Sequence, residues 1–336
     1  MSEEGRDPTS IEGLREAALK GAVEARLALA KRLLSQEPYD VFDGCKWARA
    51  AAEAGNGEAE HLLAVAIAEG LGARQDWQAA LDHLERSAEL GYARARAELA
   101  ALAGDWNPLD TADWSASTRS WKILRRAIDI SGWLRSPPAQ LVSATPRIAV
   151  VEKLASPEIC RWLIERARGS LVRAQTIDPK TGRAHYEETA RTNSSCAFDV
   201  GHMDMVLVML RARIARLTQL PVLGFEDSQV LHYAPGEEFK PHFDFLDVAQ
   251  PGHAAAVASG GQRVVTFLVY LNEGFDGGDT AFPQLGWRYK GRTGDALFFY
   301  NATPEGAPDR RTLHAGTPTT RGEKYLFSQW IRFRVG

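Results

Sequence analysis

The sequence predicts an α-helical repeat solenoid followed by a mainly β domain, because its two halves have different periodicities. The first hundred residues are rich in Ala, Leu, Glu and Arg, which favour helices. After Pro146, short β-branched and aromatic runs alternate with glycine-containing turns, a pattern typical of strands. We therefore divide the chain into helical repeats at 1–106, a helical linker at 107–145 and a second domain at 146–336.

A small-residue motif recurs three times in the first hundred residues and ends at Gly21, Gly55 and Gly91. Each glycine is followed four residues later by an alanine and eight residues later by a leucine. Small residues let helices approach closely, and glycine suits the turn between the helices of a pair. The spacing predicts a short solenoid and resembles Sel-one-like repeats over about residues 11–104. Such repeats either bind a partner or substrate protein or serve as a packing platform.

Composition excludes several classes of function. A net charge of -3 gives no reason to expect nucleic acid as a partner. The longest apolar run, 264–271, is too short for a membrane span, and the polar first eight residues do not resemble a secretory leader. Cys45, Cys160 and Cys196 are isolated, which favours core packing in a reducing compartment over disulfides or a thiolate zinc site. We expect a cytoplasmic protein.

The pattern of the second half predicts strands interrupted by two helices. A separate linker helix at 117–135 is expected to precede this half and to end at Ser136-Pro137-Pro138. Strands are predicted at 147–151, 228–233, 263–271, 296–300 and 325–335, and helices at 157–168 and 203–219. Strands of this length predict a barrel or a two-sheet roll with helices backing one sheet.

The pair His242 and Asp244 is the first candidate for metal chemistry. In a strand, residues two apart point to the same side, so an imidazole and a carboxylate at this spacing can both enter a barrel. His314 is available as a third ligand. Two histidines and one carboxylate on one face of an octahedron leave three positions open for O2 and a bidentate cosubstrate.

Lys324 lies just before the last predicted strand, ten residues after His314. If the chain turns back at 319–322, this lysine enters the barrel near the metal. A buried ammonium requires an anionic partner, because an unpaired buried charge costs several kcal/mol. The distal carboxylate of 2-oxoglutarate is such a partner, whereas the alternative is an exposed lysine at a strand end.

Five sequence blocks, in this order, resemble the prolyl 4-hydroxylase family over about residues 147–336. They are Tyr233-x-x-Gly236, Pro241-His242-Phe243-Asp244, Gly277-Gly278-Asp279-Thr280-x-Phe282-Pro283, Gly294-Asp295-Ala296-Leu297 and Leu313-His314-Ala315-Gly316 followed by Lys324. The resemblance implies a double-stranded β-helix, or jelly roll. It also implies that His242, Asp244 and His314 bind Fe(II) and that Lys324 binds the distal carboxylate of 2-oxoglutarate.

The resemblance assigns further residues to the site. Tyr233 matches a tyrosine lining the 2-oxoglutarate pocket, with Tyr270 and Thr266 as weaker candidates. Trp330 matches a tryptophan near the substrate proline, and Arg191 lies in a segment that resembles one wall of the substrate groove. Phe239 stands where family members often carry a tyrosine, which leaves the identity of the substrate open. The Gly- and Ala-rich stretch 247–262 is expected to be a mobile loop over the site.

The predicted function is hydroxylation of a prolyl residue in a protein or peptide. The resemblance implies Fe(II), O2 and 2-oxoglutarate as reactants, succinate and CO2 as products, and ascorbate as a candidate reductant. Two alternatives remain: an oxygenase acting on another side chain or a small molecule, and a scaffold that senses O2 or 2-oxoglutarate with little turnover.

Overall fold

The computed structural model describes residues 7, 9–36, 39–106, 120–187, 189–303 and 306–333. Contacts divide the chain into two compact units. The first unit comprises Met1–Trp133 and Asp199–Met209, and the second comprises Leu134–Phe198 and Leu210–Gly336. No helix in the described ranges is long and apolar enough to cross a membrane.

The first unit contains three helix pairs, as the repeat predicts. They are α1 (Ile11–Leu19) with α2 (Val23–Ser35), α3 (Val41–Ala52) with α4 (Gly57–Glu69), and α5 (Trp77–Glu89) with α6 (Ala93–Leu102). Gly21, Gly55 and Gly91 lie in the turns within the pairs and have φ angles of 95°, 86° and 93°. A side chain would be strained at these angles, which explains why glycine recurs there. The leucine eight residues after each glycine is buried.

The predicted linker helix is interrupted. The chain forms two short helices, α7 (Trp121–Ala127) and α8 (Ile130–Leu134), and residues 117–119 lie outside the described ranges. The break is at Ile128, whose backbone is extended, and the Asp129 carboxylate then accepts a hydrogen bond from the Gly132 N–H at 3.0 Å. Local capping by aspartate thus starts a second helix instead of continuing the first.

The observed second unit differs from the predicted second domain at its start and in one internal segment. A strand begins at Gln140, before the predicted start at 146, and pairs with the next strand. Residues 199–209, placed in the second domain by sequence, belong to the first unit. There the buried Glu98 carboxylate contacts the His61 ring at 2.7 Å and accepts the Met205 N–H at 3.0 Å. These long-range hydrogen bonds carry no local sequence signal.

The second unit is built on antiparallel strands. Its eight-stranded sheet contains β1 (Gln140–Ala144), β2 (Arg147–Val151), β3 (Val172–Arg173), β6 (Ser194–Phe198), β7 (Ser228–Tyr233), β9 (Gln262–Tyr270), β13 (Ala296–Tyr300) and β16 (Lys324–Phe333) in the order β1-β2-β13-β9-β16-β7-β6-β3. The four-stranded sheet contains β8 (Phe239–His242), β11 (Thr280–Phe282), β12 (Trp287–Tyr289) and β14 (His314–Gly316) in the order β12-β11-β14-β8. Two small ribbons pair β4 (Thr176–Ile177) with β5 (Ala184–His185) and β10 (Asp276–Gly277) with β15 (Thr319–Arg321).

The longer predicted elements of this unit agree with the observed ones to within about two residues. Besides the strands, α9 (Pro157–Arg168) and α10 (Met205–Thr218) form near the predicted positions. The expected loop at 247–262 is wrong, because it contains α11 (Pro251–Gly260). Proline at the first turn and the alanines behind it favour a helix, and Gly261 ends it with a φ of 84°.

One face of the eight-stranded sheet lines a pocket together with residues of the four-stranded sheet. Alternate residues of β16 point into it, as a period of two requires: Lys324, Leu326, Ser328 and Trp330. Strands β8, β11 and β14 contribute from the other sheet, including His242, Thr280 and His314. The pocket therefore contains the metal-ligand candidates and Lys324, which the sequence predicted to lie near one another.

Candidate metal centre

His242, Asp244 and His314 converge in this pocket, although 70 residues separate the last two. His242 ends β8 and pairs directly with His314 at the start of β14. The Nε2 atoms of His242 and His314 lie 3.6 Å and 3.4 Å from the two carboxylate oxygens of Asp244. Among the described residues, this is the only group of three His, Cys, Asp or Glu side chains placed to hold a metal ion.

The hydrogen bonds around the two histidines fix which nitrogen carries the proton. The Nδ1 atom of His242 lies 2.8 Å from the Lys240 carbonyl oxygen, and that of His314 lies 3.0 Å from the Thr312 carbonyl oxygen. Because a carbonyl oxygen only accepts, each Nδ1 donates and each Nε2 presents its lone pair towards Asp244. This is the arrangement that a divalent cation requires.

The charges of the site also suit a cation. Burial lowers the pKa of His242, and the neighbouring His314 lowers it further, so this imidazole is favoured in its neutral, ligating form. Burial opposes ionisation of Asp244, but His314 and His242 outweigh it and hold the pKa of this carboxyl well below its usual value. Two imidazole nitrogens and one carboxylate make the donor set of a non-haem Fe(II) centre.

Thr266 lines the pocket, and its hydroxyl is directed at a metal-ligand candidate. Its hydroxyl donates to Oδ2 of Asp244 at 2.7 Å and accepts from the side-chain amide of Asn301 at 2.8 Å. All three side chains are buried. Thr266 therefore orients a metal ligand, a role that the sequence resemblance did not assign to it. Asn301 was missed altogether, because a residue just after β13 gives no sign of its partner across the sheet.

Replacing Thr266 by Val should weaken metal binding. The variant keeps the shape of the side chain but loses the bond that orients Asp244, and loss of such outer partners typically costs about 10- to 100-fold in metal affinity. Calorimetric titration of the apoprotein with Fe(II) under anaerobic conditions measures the change. Ser328→Ala is the control, since Ser328 lines the same pocket without bonding a ligand residue. Equal affinities of Thr266→Val and wild type would contradict the role of Thr266.

Lys324 is a buried ammonium within the same pocket. Only 1% of the residue is exposed, and its Nζ donates to the Gly278 carbonyl oxygen at 2.8 Å. It lies 4.7 Å from the ring centre of Tyr233 and 5.4 Å from that of Tyr270. Burial lowers the pKa of Lys324 to about 7. Asp279 raises this pKa only in part and forms no ion pair with Lys324 among the described residues, so the site fits the carboxylate of a ligand.

The two tyrosines predicted near the cosubstrate differ in their access to the pocket. Tyr233 lines it, and burial raises the pKa of this phenol to about 12, so it remains a neutral hydroxyl. Tyr270 lies behind the wall, where its hydroxyl contacts Thr280 at 2.9 Å and donates to the Tyr289 carbonyl oxygen at 2.8 Å. Thr280 lines the pocket itself. Its place after a glycine-rich turn was the only sequence signal for it.

The three residues predicted to bind substrate all line the pocket. The Phe239 ring stacks on the His242 ring with centres 3.5 Å apart and an angle of 14°. The Arg191 guanidinium lies over the Phe239 ring, 4.6 Å from its centre. Trp330 lines the pocket from the eight-stranded sheet. The metal ligands are therefore bordered by aromatic side chains and one buried arginine.

The fold and the site define a 2-oxoglutarate- and Fe(II)-dependent oxygenase, and residues 228–332 match the 2OG-Fe(II) oxygenase superfamily. Prolyl 4-hydroxylase 5 of Arabidopsis thaliana is 33% identical over 212 residues, which cover 57% of this chain and 70% of that protein. Probable prolyl 4-hydroxylase 10 of the same plant is 30% identical over 248 residues, 67% of this chain and 83% of that protein. The chain belongs to the prolyl 4-hydroxylase family.

Two solved structures are similar to parts of this chain. The viral collagen prolyl hydroxylase of Paramecium bursaria Chlorella virus-1, solved with 2-oxoglutarate, is 29% identical and covers 56% of this chain and 96% of its own, with a TM-score of 0.43. A Sel1 repeat protein from Oxalobacter formigenes is 24% identical and covers 32% of this chain and 45% of its own, with a TM-score of 0.27.

Proposed function

We propose that the chain hydroxylates a prolyl residue within a polypeptide. One oxygen atom of O2 enters the C–H bond of the substrate as a hydroxyl, and the other enters succinate as 2-oxoglutarate loses CO2. When bound, the Fe(II) centre supplies the oxidising chemistry, with ascorbate as a candidate reductant. The protein supplies orientation and a pocket that limits the access of water. The two sheets around the pocket are proposed to form a double-stranded β-helix.

Each part of the pocket has a separate role in this proposal. His242, Asp244 and His314 hold Fe(II), and Lys324 receives the distal carboxylate of 2-oxoglutarate. The neutral hydroxyl of Tyr233 is available as a hydrogen-bond donor beside this lysine. An ammonium and a hydroxyl in the same pocket as the metal ligands suit an elongated dianion that chelates the metal at its opposite end.

One observation supports a polypeptide as the substrate. Arg191 and Trp330 both line the pocket, and each has a buried N–H with no acceptor among the described residues. The Nη2 group of Arg191 and the indole N–H of Trp330 are such donors, and a buried donor without an acceptor is costly. Backbone carbonyl oxygens of a peptide can satisfy them, while the apolar pyrrolidine ring of proline suits the wall formed by Phe239 and Trp330.

The repeats are proposed to hold the substrate protein. The first unit contains a groove of about 460 Å³ whose walls combine apolar and charged side chains. Leu62, Val65 and Tyr92 provide apolar surface, and Arg94 adds a positive charge. Such a surface is suited to an extended segment of another protein. Binding there would raise the effective concentration of the substrate at the oxygenase site.

Full-length protein supplied with Fe(II), 2-oxoglutarate and O2 should convert proline to hydroxyproline in substrate peptides. Fragment-ion mass spectrometry locates the added oxygen, and a peptide in which alanine replaces the proline is the control. Oxygen located on another residue would contradict the proposed substrate.

Arg94→Glu should slow the reaction on an intact substrate protein but not on its excised peptide. An equal effect of Arg94→Glu on the rates with the intact protein and with the peptide would contradict the role of the groove.

We also propose a cytoplasmic location. The thiols of Cys45, Cys160 and Cys196 are free, and two of them are buried. Burial raises the pKa of Cys160 to about 12, which makes this thiol unreactive. Free cysteines of this kind are typical of a reducing compartment. Fractionation of cells expressing the full chain tests this location.

A further inference from the structure

Trp330 is covered on one face by an arginine that does not itself line the pocket. The Arg263 guanidinium lies 3.8 Å from the centre of the Trp330 ring. Two hydrogen bonds hold this guanidinium, from Nε and Nη2 of Arg263 to the two carboxylate oxygens of Glu226 at 2.6 Å and 2.7 Å. Such a two-point ion pair fixes both the position and the plane of the guanidinium.

Glu226 is in turn fixed by other parts of the sheet. Nε of Arg332 donates to its Oε1 at 2.6 Å, and Nη1 of Arg332 donates to the Ala256 carbonyl oxygen in α11 at 3.0 Å. The backbone N–H of Glu226 donates to the Trp330 carbonyl oxygen at 3.0 Å. The carboxylate that orients Arg263 is thus tied to the strand that carries Trp330. We call Glu226, Arg263 and Arg332 the arginine clamp.

We propose that Arg263, oriented by Glu226, is a positioning residue that sets the angle of the Trp330 ring in the pocket and thereby the affinity for the peptide substrate. This inference rests on the proposed function, in which Trp330 contacts the substrate. Arg263 is not among the residues that line the pocket, and its contact with a lining residue is the one with the Trp330 ring.

The composition of the clamp supports a positioning role over a purely stabilising one. Partly buried ion pairs contribute little net stability, because the loss of hydration offsets their attraction. A planar guanidinium stacked on an indole, in contrast, restricts rotation of the ring, and a lysine ammonium cannot reproduce this contact. The two arginines also differ in a useful way. Both bond Glu226, but only Arg263 contacts Trp330.

This difference provides a matched pair of variants. Arg263→Lys keeps the positive charge but loses the flat contact with Trp330, so KM for the peptide should rise about 5- to 30-fold, the range expected for loss of a partly desolvated stacked contact. The affinities for Fe(II) and 2-oxoglutarate should not change. Arg332→Lys disturbs the same carboxylate without touching the ring and should leave the peptide KM close to that of wild type. Thermal unfolding of both variants records any general loss of stability.

A measurement without substrate keeps the inference separate from the proposed function. The difference in fluorescence anisotropy between wild type and Trp330→Phe reports the mobility of the Trp330 ring. The corresponding difference between Arg263→Lys and the double variant Arg263→Lys with Trp330→Phe should show a more mobile ring. Unchanged mobility, or equal KM shifts in Arg263→Lys and Arg332→Lys, would overturn the role of Arg263. If the ring becomes mobile while Trp330→Phe leaves the peptide KM unaltered, the proposed substrate contact of Trp330 fails, and with it the link to affinity.

Discussion

Asp244→Ala should abolish metal binding and turnover, with Fe(II) affinity reduced by more than about 100-fold. Loss of an outer partner of a metal ligand already costs about 10- to 100-fold, so loss of the carboxylate itself should cost more. Without Asp244, the Nε2 atoms of His242 and His314 would face each other with no negative charge to offset a cation. Metal content after anaerobic reconstitution and the charge-transfer absorption of the Fe(II)–2-oxoglutarate complex measure the effect.

The control for this variant is Asp247→Ala. Asp247 has the same side chain three residues later but is half-exposed, and its carboxylate caps the Ala249 N–H and faces Arg310. Its removal should leave one Fe(II) bound per chain. If Asp244→Ala retains the metal and the absorption band of wild type, the three residues are not the iron ligands. If both variants lose the metal, the loss reflects damage to the segment after β8.

The sequence predicted well those features that depend on local patterning. The glycines at 21, 55 and 91 specify left-handed turns, and the helix pairs follow from them. The sequence predicted that Lys324 enters the interior, and the structure adds that Lys324 and Trp330 share one face of β16, as a period of two requires. The spacing of His242 and Asp244 likewise predicted two ligands of one metal, with His314 available as the third and the resemblance to a family supporting all three.

Features that depend on contacts distant in sequence were not predictable in the same way. The hydrogen bonds between Asp244, Thr266 and Asn301 join three segments that are distant in sequence, and no local pattern identifies such partners. The helix α11 was expected to be a loop because small residues alone do not distinguish flexibility from a short helix. Arg263 was also missed, since its role is visible only once the ring of Trp330 is found 3.8 Å away.

Lys324→Met should weaken 2-oxoglutarate binding by about 10- to 150-fold, because a charge-assisted hydrogen bond contributes about 1.5–3 kcal/mol. Methionine retains most of the apolar stem of this buried side chain, so the fold should be preserved. Anaerobic titration of the Fe(II) protein with 2-oxoglutarate measures the dissociation constant. Lys290→Met is the control, because Lys290 lies near this region but does not line the pocket, and its removal should change binding less than about fivefold.

The pH dependence of binding tests the same residue without altering the fold. With a pKa of about 7 in the free site, Lys324 is charged below pH 7 and increasingly neutral above it. The bound carboxylate favours the ammonium, so binding above pH 7 requires proton uptake. The dissociation constant of 2-oxoglutarate should therefore rise by up to about tenfold per pH unit between pH 7 and 9. In Lys324→Met this rise should disappear. Parallel profiles for the two proteins would assign the titration to another group and remove Lys324 from the cosubstrate site.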